Sequence, residues 1–313
     1  MSKSTVWITT QAKVQTLRGL MVFLFLFLLS CKSNLPYSQD VVYGTGIRDS
    51  LPVKYLRADA PSNKLLLYLT RKPDSLNWWK SDFFKTLHLK GDFDIIYPGL
   101  TSAYDFFLQE SMDVKSGRTE DLIGLLNPLQ KQESLAPNTK LYLLADNMEA
   151  EVAVNIASHF TFEKVILIDL SAISRMHDIA SLLSKELRED SLTAKFLMQY
   201  RIDTTLTKSQ LISKLKNKPP HEYTVGNKRN SYWMSYLNDP VLTNIKYARG
   251  NIHFVYTPLS ILDLQSGIGL LKNYQSNNKA ASWHFHQVSP PKKEDEKPLE
   301  QLLQQLLLPG VRQ

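Results

Sequence analysis

Acyl transfer, phosphoryl transfer and metal-assisted hydrolysis each demand certain side chains at certain spacings. The 313-residue chain offers few of them. The stretch that comes nearest is Ala145-Asp146-Asn147-Met148-Glu149. There the apolar run Leu141 to Leu144 gives way to small or apolar residues at Met148, Ala150, Val152, Ala153, Ile156 and Ala157. This change of period predicts strand, tight turn and helix, and a β-branched run from Lys164 to Leu170 completes a βαβ unit. The turn brings a carboxylate at Asp146 and an amide at Asn147, but no nucleophilic hydroxyl. Hydroxyls at Ser102 and Ser171 end other strand-to-loop transitions, and His284 and His286 lie on one face of the last predicted strand. His159 and His177 border loops. No histidine pair has metal-ligand spacing such as H-E-x-x-H, neither a P-loop nor G-x-G-x-x-G occurs, and no metal or cofactor is expected.

Positioning such residues requires a sheet and a full core, and 43% hydrophobic content supplies both in one α/β domain with an insertion. The formal charge is +7, with three of the basic residues (Lys3, Lys13, Arg18) ahead of Cys31. Without a basic run or an interleaved aromatic motif, nucleic-acid binding has no support. Lys13 and Arg18 precede the apolar run Leu20 to Leu29, too short to span a bilayer and of the length of a signal-peptide core. It ends Leu28-Leu29-Ser30-Cys31, which resembles the bacterial lipobox, and Cys31 is the only cysteine. That resemblance implies a signal peptide over 1–30, a lipid on Cys31 and export to the bacterial envelope with the membrane as partner. A tether over 31–50 follows, and Lys32 in place of aspartate favours the outer membrane.

The segment Ala145 to Ala153 also resembles, in register, the nucleophile elbow of α/β-hydrolases, commonly G-H-S-M-G-G-x-V-A. The implied fold is a mostly parallel central sheet flanked by helices, with a helical cap. The core then spans 51–171 and 250–313, and the cap 172–249. Asn147 stands where the family has its serine, and asparagine tolerates the positive φ that the elbow imposes. Met148 stands where the family takes one oxyanion-hole N–H. The other comes from the loop after the strand Lys64 to Thr70, which here reads Arg71-Lys72-Pro73, without glycine and with a proline that has no N–H.

Predicted strands at Val53 to Ala58, Phe93 to Tyr97, Asn251 to Thr257 and Ser282 to Val288 follow the family's order. So do predicted helices at Ser75 to Leu89, Glu120 to Lys131 and Pro298 to Leu308. The resemblance puts the acid near Ser260, with Asp263 three residues late. It puts the histidine between Ser289 and Lys297, a loop that holds none. Losing serine and histidine together argues against Ser-His-Asp acyl transfer. The expectation is therefore a binding or envelope-associated module for an unknown ligand or protein. Asn147, Met148, Asp146, Glu149, Arg71 and Lys72 would mark the former active site. Arg71 and Lys72 would either attract an anion or serve as surface charges. One alternative is an ester or acyl hydrolase using Ser102 or Ser171 with His284 or His286. Another is an envelope scaffold that binds a protein partner through the cap.

Overall fold

A computed structural model describes residues 39–43, 51–58, 62–70, 82–91, 93–98, 114–131, 138–173, 175–181, 183, 197–198, 202–225, 228–238, 241–257, 264–276, 282–290 and 297–308. The elements run β1 (Gln39–Tyr43), β2 (Leu51–Leu56), β3 (Lys64–Leu69), α1 (Asp82–Gly91), β4 (Phe93–Pro98) and α2 (Val114–Lys131). Next come β5 (Lys140–Asp146), α3 (Asn147–His159), β6 (Lys164–Ile168), α4 (Arg175–Ser181), α5 (Lys208–Asn217), β7 (Tyr223–Val225), β8 (Lys228–Arg229) and α6 (Asn230–Asn238). The chain closes with α7 (Val241–Ile245), β9 (Asn251–Tyr256), α8 (Leu264–Ser276), β10 (Ser282–Gln287) and α9 (Pro298–Leu307).

β3 to β6 and β9 are near-continuous runs of Leu, Ile, Val and aromatic residues because helices cover both their faces. They sit inside an eight-stranded sheet of order β1-β2-β4-β3-β5-β6-β9-β10. β2 runs antiparallel to β1 and β4, and every other pairing is parallel. This is the mostly parallel α/β architecture that the sequence resemblance implies. Register aligns Leu69 with Ala145 and Asp146 with Ile168, so Thr70, Asn147 and Asp169 leave the sheet along one carboxyl edge.

Alternate side chains of each strand go to opposite cores. Leu65, Leu67, Leu143, Leu167 and Phe254 pack with Leu125 of α2 and with Val152 and Ile156 of α3. Leu66, Ile95, Leu144, Ile166 and Val255 pack with Phe84 and Leu87 of α1 and with Leu303 and Leu307 of α9. A third cluster, Met176, Leu211, Leu215, Trp233 and Tyr236 among others, is the core of the cap.

Several boundaries differ from expectation. β1 lies within 31–50, the stretch read as tether, and the next strand, β2, supplies its antiparallel ladder. The cap, expected to be helical, also contains the β7–β8 hairpin. α7 falls inside 172–249, yet Val241 and Ile245 join the sheet core with α3. α2 begins at Val114, six residues ahead of the expected start, and carries Pro128. α8 was unmarked in sequence because Gly267 and Gly269 interrupt its pattern, each at a cost of about 1 kcal/mol in a helix interior. Residues 1–38, and with them Cys31 and the predicted signal segment, lie outside the described residues. Among the described residues no helix is long and apolar enough to cross a membrane.

Gly250, which turns the chain into β9, has φ +95°, and a Cβ there would sit 2.5 Å from the Phe162 carbonyl oxygen. Backbone cannot yield as a flexible side chain can. Gly250→Ala should therefore lower unfolding free energy by at least about 2 kcal/mol, measured by urea denaturation.

Candidate functional site

At the end of β5 the backbone passes from extended geometry at Asp146 (φ −120°, ψ 148°) into the left-handed region at Asn147 (φ 51°), and α3 begins at once. Few L-residues tolerate that conformation, and asparagine is among those that do. The Asp146 side chain does not cap α3. It is buried, and its Oδ2 accepts a hydrogen bond of 2.8 Å from Thr70 Oγ1, joining the ends of β5 and β3. Burial and then the Asp146 carboxylate push the hydroxyl of nearby Tyr68 above its ordinary range, against the opposing effect of its hydrogen bond with Thr70. Asn147 is exposed at the apex.

Met148 points the other way, into the cap. It packs in the cap's apolar cluster, and Tyr232 of α6 donates its hydroxyl hydrogen to Met148 Sδ at 3.3 Å. The residue after the elbow position thus belongs to the cap's own core.

Glu149, expected to line the former active site, is fully buried behind the turn. Arg118 Nε of α2 lies 3.4 Å from Glu149 Oε2, and Arg118 Nη2 donates to the Pro98 carbonyl at 3.0 Å. Glu151 is paired likewise, with Lys115 Nζ at 3.5 Å, and Lys115 also lies 5.6 Å from the centre of the Tyr236 ring of α6. These buried charges tie α2, α3, the end of β4 and the cap together. No local pattern signals them, because Lys115 and Arg118 precede the expected start of α2.

Asp169, at the end of β6, is the other non-glycine residue with positive φ (51°) among those described. Its Oδ1 accepts from the Thr257 N–H and its Oδ2 from Thr257 Oγ1, both at 2.8 Å, which fixes the start of the loop after β9. Sequence reasoning passed over Asp169 as a strand end. Asp-Leu-Ser after an apolar run was the available signal. Ser171, two residues on, is fully buried and its Oγ has no hydrogen-bond partner among the described residues. Among the described residues no base is therefore in contact with it.

His284 and His286 are engaged elsewhere. His284 Nε2 lies 2.9 Å from Ser282 Oγ, and His286 Nε2 lies 3.0 Å from Nδ1 of His253 on β9, a residue the sequence reading had not singled out. Arg71, Lys72, Ser102 and Asp263 lie outside the described residues. Among the described residues no three His, Cys, Asp or Glu side chains are grouped so as to hold a metal ion.

The fold has close company among solved structures, although no family model matches the sequence and no curated protein is significantly similar to it. DcsB in complex with a substrate analogue superposes with TM-score 0.55 at 10% identity, over 86% of this chain and 98% of that one. A thermostable carboxyl esterase from Bacillus coagulans, bound to glycerol, gives 0.52 at 11% identity over 87% and 97%. A lipase in its open form gives 0.50 at 11% identity over 86% and 98%. At such identities the likeness concerns the fold alone, which is that of the α/β-hydrolases.

Removing Arg118 alone strands the Glu149 carboxylate in the interior. Arg118→Met should cost about 3–5 kcal/mol in chemical denaturation, whereas Arg118→Met with Glu149→Leu should cost clearly less than the two single changes added together.

Proposed function

We propose that this chain is an exported, lipid-anchored protein of the bacterial envelope whose α/β-hydrolase fold acts as a binding module without Ser-His-Asp chemistry. The observation that carries this reading is the turn itself. A left-handed Asn147 occupies the apex, and its successor Met148 is sunk in the cap core under Tyr232. An amide has no hydroxyl to give up, so no acyl-enzyme forms at that point. The absence of histidine from Ser289 to Lys297 supports the same conclusion from the other end of the usual dyad.

The expected ligand or partner meets the carboxyl edge of the sheet around Asn147 and the cap. The lipobox-like Leu28-Leu29-Ser30-Cys31 supports the anchor. The alternative, an ester or acyl hydrolase with a relocated serine, keeps Ser102 as its candidate. It loses support at Ser171, whose hydroxyl touches no base among the described residues.

A fluorophosphonate probe separates the two readings. The purified chain and its Asn147→Ser variant should both remain unlabelled in gel fluorescence, since the loop from Ser289 to Lys297 holds no histidine to activate the hydroxyl. Labelling of one native serine, abolished by mutating that serine, would reject the binding-module reading in favour of the enzyme.

The anchor is tested by growing expressing cells with an alkyne-tagged fatty acid. The wild-type chain should carry the tag and sediment with membranes, and Cys31→Ser should lose both properties. A tagged Cys31→Ser chain would overturn lipidation at that position.

A further inference from the structure

Away from the elbow, β9 and β10 gather three imidazoles on the sheet face that α9 covers. Parallel register sets His284 beside His253, and His286 follows two residues on along the same face. The His253 and His284 rings stack, with centroids 4.7 Å apart and planes 19° from parallel. His253 and His286 meet differently. Their planes are 20° apart and their centroids 5.3 Å, but Nδ1 of one approaches Nε2 of the other to 3.0 Å. That is closer than the roughly 3.5 Å at which ring faces touch, so the two rings lie edge to edge and share one N–H···N hydrogen bond.

Such a bond needs one hydrogen and one lone pair. It forms between two neutral rings and survives a single added proton. A second proton sets N–H against N–H, destroys the bond and puts two positive charges side by side. Among the described residues, the charged groups near the pair do not offset that charge. β6 contributes Lys164, whose Nζ donates to the Leu306 carbonyl of α9, and Lys164 is among the groups disfavouring a charged His253. β10 contributes only His284 besides His286. The one acid in α9, Glu300, pairs with Lys297 at 3.6 Å at the far end of that helix, and Glu163 acts on Lys164. Direct hydrogen bonding between the two nitrogens also leaves no room for a cation between them.

We propose that the His253–His286 pair is a proton-operated latch on the sheet edge. When neutral it holds β10 and, through the shared apolar face, α9; when acidified it releases them. Burial first, and then the neighbouring imidazoles, push the His253 ring down to about 4, and burial likewise lowers His286. A histidine with a lowered native value takes up protons more readily once unfolded. Its stabilising contribution is therefore complete above about 6.5 and is lost as pH falls from there toward 4. Released, the edge would uncover Val255, Leu303 and Leu307, which are buried in the neutral state.

Hydrogen exchange read by mass spectrometry on the whole chain at about pH 7.5 and about pH 5, with intrinsic exchange rates divided out, tests the latch. β10 and α9 peptides should lose about tenfold or more of their protection at the lower pH, while β3 and β5 keep theirs. His253→Phe with His286→Leu should abolish the difference, and His284→Gln should retain it. Should the double variant fail to fold, His253→Gln with His286→Gln, in which neither position titrates, is read in the same way. Equal pH response in all strands, or a β10 response that persists in the variant lacking the pair, would overturn the latch.

Discussion

The bend between β5 and α3 at the carboxyl edge rests on one strained residue, Asn147. β5 ends in an extended Asp146, and α3 starts with the very next residue, so the whole reversal is absorbed by Asn147 at φ 51°. Conformations of that kind cost of order 1–3 kcal/mol and persist only where the surroundings over-determine them. Here the constraint comes from both sides. The Asp146 carboxylate is fastened to Thr70, and the following Met148 is buried in the cap. Between these two anchors the apex has no other course.

Behind the turn the chain keeps two ion pairs in its interior, Arg118–Glu149 and Lys115–Glu151. Desolvation offsets much of the Coulombic gain of such pairs, so their effect is greater on specificity than on stability. A charge that loses its partner here is costly, which penalises any packing of α2 against α3 other than the native one. Lys115 extends that discrimination to the cap through Tyr236. The cap is thus joined to the core by an apolar peg, Met148, and by a buried cation. An open, freely swinging lid would leave both exposed to water.

How much of this was legible beforehand depends on the range of the forces involved. Period and burial are local properties, and Leu65 to Leu69, Ile95 and Ile96, and Val165 to Ile168 announced their strands because helices cover both faces of the sheet. The turn at Asn147 was readable for the same reason, since a strand pattern broke into a helix pattern with one suitable residue between them. β1 and α8 were not readable. A five-residue edge strand owes its order to β2, and a helix with two glycines owes its order to packing, as at Gly267 beside Ala172. The Glu149 ion pair was not readable, because its arginine comes from another helix, 31 residues away in the chain.

The sequence alone determined the α/β layering, the position of the bend, the lack of a serine from Ala145 to Met148 and the lack of a histidine from Ser289 to Lys297, all properties of residue type along the chain. Only the tertiary structure decided where the charges went: Asp146 to Thr70, Glu149 to Arg118, Asp169 to Thr257 and His286 to His253. Those partners lie 30 or more residues apart, and no local preference encodes them. Hydrogen bonds and ion pairs act over a few ångströms, so their choice of partner waits until the apolar cores have brought the strands and helices together.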